Sequence, residues 1–261
     1  MTGSTDGIGK DFARQLVGKG LNIILVARND EKLKTTKTQL LETASKGIKI
    51  ETFVMDFSKA CDESLLKLLD FLKGKDVSVL VNNVGVSHDH PEYFTEASVQ
   101  TMDTIIQVNI VNTLKMTRAI LPLFLEKKRG LILNLGSFSG ELPVPLLQTY
   151  SASKAFLRTW SMALAAELAP HNIQVELLNT YFVVSNMSKL RRPSLMVPTP
   201  SAFVKFALRT AGQSPFRTPY PSHAFIYEVM QWIPSWLLAT ANMAQMRSIR
   251  QKALQKAKRT I

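Results

Sequence analysis

Cysteine is almost absent: the chain holds a single thiol, Cys61, in 261 residues. No intramolecular disulfide can form, which excludes a disulfide-stapled secreted domain and favours a compartment facing the cytosol. No basic cluster adjoins Cys61, so a buried structural thiol is expected there. Histidine is scarce as well. His88, His90, His171 and His223 stand at no metal-ligand spacing with cysteine or carboxylates, and no metal is inferred. Internal repeats and low-complexity linkers are missing too. Hydrophobic residues make up 46% and charged residues 20%, a balance that fills a core and excludes a disordered or collagen-like chain. The length fits one large α/β domain.

Acid is the remaining shortage. Lys and Arg number 32 against 20 Asp and Glu, a net charge of +12. Residues 247–261 hold six of the positives (Arg247, Arg250, Lys252, Lys256, Lys258 and Arg259) and no acid. A nucleic-acid binder would spread its basic residues along a groove with aromatics between them, so no nucleic-acid partner is expected. The concentrated tail fits anionic lipid, or simply a solvated helix end.

What is present is a rhythm. Short apolar runs at Leu21–Arg28, Ile48–Phe57, Val77–Asn83, Gly130–Ser137 and Ile173–Val183 alternate with helical stretches near 8–19, 29–46, 60–73, 96–127 and 146–169. Strands rich in Ile, Leu and Val with little polar alternation suggest a sheet covered on both faces. The β-α-β-α order predicts an α/β fold with a Rossmann-like, doubly wound parallel sheet. After residue 190 the rhythm stops. A loop carrying Pro193, Pro198 and Pro200 leads into a helix near 200–212, and a second Pro-rich stretch precedes an apolar segment from Ala224 to Met246. Glu228, Gln231 and Pro234 interrupt that segment too much for a spanning helix. Two readings stand for it: an interfacial segment lying on a membrane, or a helix pair closing a substrate cleft.

Three groups of residues carry chemistry. The opening Thr2-Gly3-Ser4-Thr5-Asp6-Gly7-Ile8-Gly9 spaces its glycines for a tight turn that brings backbone N–H groups and a helix N-terminus against a pyrophosphate. A Cβ would block that approach. The next strand ends in Arg28, which suits a 2′-phosphate where a free ribose hydroxyl would meet an acid, so NADPH is favoured over NADH. Tyr150 and Lys154 stand four apart on one helix face, and a cation beside a phenol favours the phenolate, lowering the tyrosine pKa towards general acid–base work. Ser137 closes a strand at the end where doubly wound sheets bind ligands, so Ser137 and Tyr150 can converge on one carbonyl.

The Gly loop, Asn82-Asn83-Val84-Gly85, Asn109, Ser137 and Tyr150/Lys154 together resemble the short-chain dehydrogenases/reductases, over roughly residues 2–190. Within that family, Val86-Ser87-His88 followed by Pro91 and Phe94, the run Asn186-Met187-Ser188-Lys189, residues 195–206 and the basic tail resemble the fungal very-long-chain 3-oxoacyl-CoA reductases of fatty-acid elongation. The 17-beta-hydroxysteroid dehydrogenases share much of the signature. The resemblance implies that Tyr150 protonates the keto oxygen as NADPH delivers hydride, and that Lys154 lowers the Tyr150 pKa and holds the nicotinamide ribose. It implies that Ser137 binds the substrate oxygen, with Ser139 a weaker rival because the pattern places the serine three residues before Gly140. Asn109 would hold a water linking Lys154 to solvent. Asp56 would meet the adenine, Asn83 would secure the strand beside the cofactor, and Gly3, Ser4, Gly7, Ile8, Gly9, Arg28, Val183 and Ser185 would complete the cofactor site.

Two departures from the family stand out. Thr180-Tyr181-Phe182-Val183-Val184-Ser185 replaces the usual Pro-Gly and later threonine. The apolar first strand that precedes the Gly loop is missing, and in this fold that strand is central, so its neighbours would each bury unpaired edge groups at about 1–3 kcal/mol apiece. The expectation is a shortened chain whose natural form adds this strand and a membrane-anchoring helix. Residues 1–190 would form the NADP-binding and catalytic core of a single domain, and 191–261 a substrate-cleft and membrane-facing extension. The implied setting is the cytosolic side of the endoplasmic reticulum membrane, with a long-chain acyl-CoA substrate and other elongation enzymes as partners. The ending Lys258-Arg259-Thr260-Ile261 loosely resembles a dilysine retrieval signal with one lysine replaced. Alternatives are a 17-beta-hydroxysteroid dehydrogenase and an inactive membrane-complex subunit or remnant.

Overall fold

Strands without polar alternation need cover on both faces, and the computed structural model supplies it. It describes residues 1–59 and 62–258; Cys61 and Arg259-Thr260-Ile261, with the expectations attached to them, lie outside the described residues. β1 (Ile23–Ala27), β2 (Ile50–Val54), β3 (Val79–Asn82), β4 (Gly130–Leu135) and β5 (Ile173–Leu178) fall inside the five expected spans. Their side chains divide by parity, as a period of two requires. Leu25, Ala27, Leu133 and Leu135 pack with α1 (Gly7–Gly18), α2 (Asp30–Leu41) and α7 (Pro200–Arg209). Val26, Leu80 and Ile132 pack on the other face with α3 (Asp62–Leu72), α5 (Asn112–Lys127) and α6 (Gln148–Leu168).

All strand pairs are parallel, but the sheet is in two parts. β1 pairs with β2, and β3-β4-β5 continue to β6 (Phe216–Arg217), a two-residue strand without a sequence signal. Met1–Gly3 links the parts. The Gly3 N–H donates to the Val26 carbonyl at 2.9 Å, the Val26 N–H to the Met1 carbonyl at 2.9 Å, and the Thr2 N–H to the Val81 carbonyl at 3.0 Å. The resulting order, β2-β1-(residues 1–3)-β3-β4-β5-β6, is that of a doubly wound fold whose central position is held by three residues. A buried polar chain reinforces the second part: the Asn82 amide donates to Thr117 and to Asn134, and Asn134 donates to Ser161, at 2.8–2.9 Å.

The expected division at residue 190 does not coincide with a packing boundary. Phe203, Val204 and Ala207 of α7 sit in the same core cluster as Phe12 and Leu16 of α1. β6 extends the sheet, and its Arg217 pairs with the buried Glu176 of β5 at 2.5 Å. Only beyond β6 does the chain turn outward, into α8 (Pro221–Gln231) and α9 (Ser235–Lys258). Their buried residues are His223 and Met246. α9 lies over the loops that follow β3 and β4: Asn242 donates to the Pro143 carbonyl at 3.2 Å, and Arg250 donates to the Pro91 carbonyl at 3.0 Å and pairs with Glu96 at 2.7 Å. The long helix expected over 96–127 is likewise divided, into α4 (Val99–Ile106), a π turn at Gln107–Val111, and α5.

Candidate active site

The C-terminal ends of β1, β3, β4 and β5 converge on one edge of the sheet, and the candidate residues gather there. At the first loop, Gly3 and Gly7 both adopt left-handed backbone, φ 63° and 51°. The fold itself supplies a reason for glycine at two positions of this loop. A Cβ on Gly3 would lie 2.7 Å from the Asn83 amide nitrogen, and one on Gly9 would strike the Gly3 carbonyl and the same amide. These two glycines thus let α1 close against the chain after β3. Asn83 fixes that contact by donating to the Thr2 and Gly3 carbonyls at 3.2 and 2.9 Å. Thr2, which the sequence reading passed over, is the other half of the lock: its hydroxyl oxygen accepts from the Asn83 and Val84 N–H groups at 3.0 and 3.1 Å. Its only signal was its place just before Gly3.

A dinucleotide suits this loop. The Ser4 hydroxyl is fully buried and has no hydrogen-bond partner, an orphan that a phosphate oxygen would satisfy. Asp6 caps α1 by accepting from the Gly7 N–H at 2.8 Å, and Asn186 donates to its other oxygen at 2.5 Å, tying the loop after β5 to the glycine loop. Ser185 lies beside Gly7, its Cβ 3.5 Å from where a Gly7 Cβ would stand, and its hydroxyl bonds Ser188 at 3.2 Å. Ile8 packs against the core from the first turn of α1. Val183 is buried in that same core. Arg28 is exposed just past β1, near Asp56 at the end of β2. Burial would raise the Asp56 carboxyl, but hydrogen bonds from the Ser58 backbone and hydroxyl, with Arg28 and Lys59 nearby, hold it below its usual range. A cation and a carboxylate therefore flank the place where the adenosine end of a dinucleotide would lie.

The second group surrounds Tyr150 in the first turn of α6. Ser137 follows β4 by two residues and caps a 3-10 turn, Phe138–Gly140, in which the Ser139 N–H and hydroxyl both donate to the Ser137 hydroxyl oxygen, at 3.2 and 2.9 Å. Ser137 and Ser139 are the hydroxyls that lie next to the Tyr150 phenol. A Cβ on Gly140 would collide with the backbone of Lys154 and Ala155, which explains the Ser-x-x-Gly spacing: glycine lets the turn press on α6. Ser139 thus stands beside Ser137 at the phenol, closer to the chemistry than expected. The phenol also departs from expectation. Burial pushes it above its ordinary value, against the two serine hydrogen bonds, so it keeps its proton. Lys154 does not offset this, because its ammonium donates to the Leu135 carbonyl at 2.8 Å and lies 5.8 Å from the Tyr150 ring centre. Burial lowers Lys154 itself to about 8.

Asn109 stands in the π turn between α4 and α5, an irregularity common at functional positions. Its amide donates to the Val86 carbonyl and to the Ser153 hydroxyl at 2.9 and 3.0 Å, and its oxygen accepts from the Val86 N–H at 2.9 Å. Both amide N–H groups are in use, so a relay water would not be held through them. Ser153, three residues after Tyr150 on the same helix, was not singled out by sequence reasoning. Gly85 joins the two groups: a Cβ there would lie 3.5 Å from the Asn109 oxygen and 3.7 Å from the Lys154 ammonium. Among the described residues no cluster of His, Cys, Asp and Glu could hold a metal ion.

A doubly wound sheet with a glycine loop beside a Ser–Tyr–Lys group defines a dinucleotide-dependent oxidoreductase. The chain belongs to the short chain dehydrogenase family, whose sequence pattern it matches over residues 1–195. It is 43% identical over 269 residues to a very-long-chain 3-oxoacyl-CoA reductase of Mycosarcoma maydis, covering 100% of this chain and 77% of that protein. A protein of the same name from Coccidioides immitis is 45% identical over 270 residues, covering 99% and 77%. Among solved structures, a 7beta-hydroxysteroid dehydrogenase superposes with a TM-score of 0.81 at 20% identity, over 92% of this chain and 94% of that one. A metagenomic short-chain oxidoreductase in complex with NADP gives a TM-score of 0.69 at 27% identity, over 82% and 89%.

Proposed function

We propose that this protein reduces very-long-chain 3-oxoacyl-CoA to 3-hydroxyacyl-CoA with NADPH. It would work at the cytosolic face of the endoplasmic reticulum membrane, beside other enzymes of fatty-acid elongation. The observation that carries the chemistry is the half-buried Tyr150 phenol beside Ser137 and Ser139, with Lys154 one turn on. The substrate is supported by the relatives named above, which align along essentially the whole chain. NADPH, when bound, supplies the hydride that C3 of the substrate receives. Tyr150 gives its proton to the C3 oxygen, so the ketone becomes a secondary alcohol and the phenolate is left behind. Ser137 donates a hydrogen bond to that oxygen, and Ser139 orients Ser137. Lys154 holds the nicotinamide ribose and, once its ammonium turns from the Leu135 carbonyl, stabilises the phenolate. Gly3 to Gly9 hold the pyrophosphate, Arg28 the 2′-phosphate, and Asp56 the adenine.

The test is NADPH consumption with a long-chain 3-oxoacyl-CoA beside a steroid ketone. A kcat/KM for the thioester at least about tenfold above that for the steroid is expected, since a site shaped for one chain rejects a rigid ring system. Preference for the steroid would overturn the substrate assignment. The pH profile is a second expectation. A lysine that titrates near 8 is charged below that value and neutral above it. Reduction should therefore hold steady through neutral pH and fall as pH rises through about 8, as the cation supporting the phenolate is lost. Substituting Lys154→Arg should move that limb upward, because a guanidinium does not titrate there. A flat profile to pH 10 would remove Lys154 from the mechanism.

A further inference from the structure

α8 has two faces with different duties. His223 and Tyr227, four apart, turn inward: the Tyr227 ring centre lies 5.9 Å from that of Phe138, the residue after Ser137, and the Tyr181 ring lies 5.1 Å from Phe138. Phe225, Val229 and Trp232, at i, i+4 and i+7, share the outward face, and Trp236 continues it past the bend at Pro234. That stripe is bare. Trp232 is 86% exposed, Phe225 68% and Trp236 67%. Leu195, 79% exposed, stands beside it, because Ser222 and His223 of α8 bond the Leu195 and Met196 carbonyls at 2.7 and 3.3 Å. Large apolar side chains gathered at one elbow mark a contact surface.

Charge says which. Residues 177–258 contain eleven Lys and Arg and one acid, Glu228, and α9 has no acid at all. Arg191 and Arg192 are exposed on the approach to Leu195, and Arg247, Lys252 and Lys258 are exposed along α9. Tryptophan at the level of a basic helix is the composition of the headgroup zone of an anionic bilayer. Among the described residues no helix is long and apolar enough to cross a membrane, so the elbow would lie in the surface plane.

We propose that the α8–α9 elbow seats the protein on an anionic lipid bilayer, with Trp232 and Trp236 in the interfacial zone. The inner face of the same helix borders the turn that carries Ser137, so the seat holds the cleft mouth against the membrane, where a long acyl chain resides. The proposal deepens the membrane half of the reading above. Its test is binding of the full chain to vesicles of phosphatidylcholine, with or without phosphatidylserine, together with quenching of tryptophan emission by brominated acyl chains. Binding is expected only with phosphatidylserine and should weaken at high salt, since surface charge is screened. The double substitution Trp232→Ser/Trp236→Ser should lower partitioning about tenfold or more and abolish the quenching. Trp160 on α6 remains as the unquenched reference, and reduction of a short, water-soluble 3-oxoacyl-CoA should be unchanged. If that variant misfolds, Arg247→Glu/Lys252→Glu, at exposed positions, should remove binding to the anionic vesicles. Absence of binding by the unaltered protein overturns the seat, as does binding that neither variant affects. Self-association lost in the tryptophan variant, without lipid binding, assigns the stripe to a second copy instead. Vesicle binding without reductase activity leaves the seat standing while the substrate assignment falls, and activity without binding does the reverse.

Discussion

Replacing Tyr150 with Phe is expected to lower kcat for the 3-oxoacyl thioester by about 10²–10⁴-fold, the usual worth of a positioned general acid. Affinity for NADPH should change little, because the ring remains and only the hydroxyl is removed. The phenol holds its proton because burial raises it, and reduction is the direction that needs a proton to give. Ser137 and Ser139 are the neighbouring hydroxyls, but neither stands beside Lys154 on α6, so neither inherits the cation that would steady the conjugate base. Pre-steady-state NADPH oxidation after mixing with substrate measures the chemical step directly. A residual rate within tenfold of the unaltered protein would mean that another group is the acid. Ser137→Ala against Ser139→Ala then separates the serines: the first removes a donor to the substrate oxygen, the second only the hydroxyl that donates to Ser137.

The strands were legible because β1, β3 and β4 carry apolar residues at both parities, and the structure places Leu25 and Val26, or Leu133 and Ile132, against opposite helical layers. Periodicity sufficed for the same reason in α1, α2, α3 and α6. It failed where the determinant is long-range. β6 is two residues that become a strand because Leu177 and Leu178 offer them an edge. The π turn at Gln107–Val111 leaves no mark on the apolar period of 96–127, and what it accompanies is Asn109 bonding across to Val86. The outward stripe of α8 was visible as aromatic content but not as a face, since facing depends on what His223 and Tyr227 meet. In the site, spacing predicted which side chains gather but not their electrostatics. Tyr150 and Lys154 share a helix face as four-residue spacing requires, yet the ammonium turns to a strand carbonyl, and the phenol rises where proximity alone would lower it.

Substituting Gly9→Ala is expected to cost more stability than Gly7→Ala, although Gly7 is the residue with left-handed backbone. At Gly7 the added methyl group meets only the Ser185 Cβ, at an ordinary 3.5 Å, so the penalty is the backbone strain of about 1–2 kcal/mol. At Gly9 the methyl falls on the Gly3 carbonyl oxygen and on the Asn83 amide that donates to it. A carbonyl in the chain cannot swing aside as a side chain does. Relief requires α1 to back away from the loop, which breaks the Asn83–Thr2–Gly3 lock and the three-residue link between the two parts of the sheet. Overpacking of this kind costs about 1–3 kcal/mol or more, which in a chain of this size lowers Tm by on the order of 5–10 °C. NADPH affinity should fall about 100-fold with it, because the Ser4 hydroxyl and the first-turn amides move with α1. Thermal melts of the two variants with and without NADPH check this. If Gly9 served only to let a phosphate approach, Gly9→Ala would melt like the parent without NADPH and differ only in the shift it produces. Gly9→Ala is instead expected to lose stability before any ligand is added, since its clash is with the protein's own backbone.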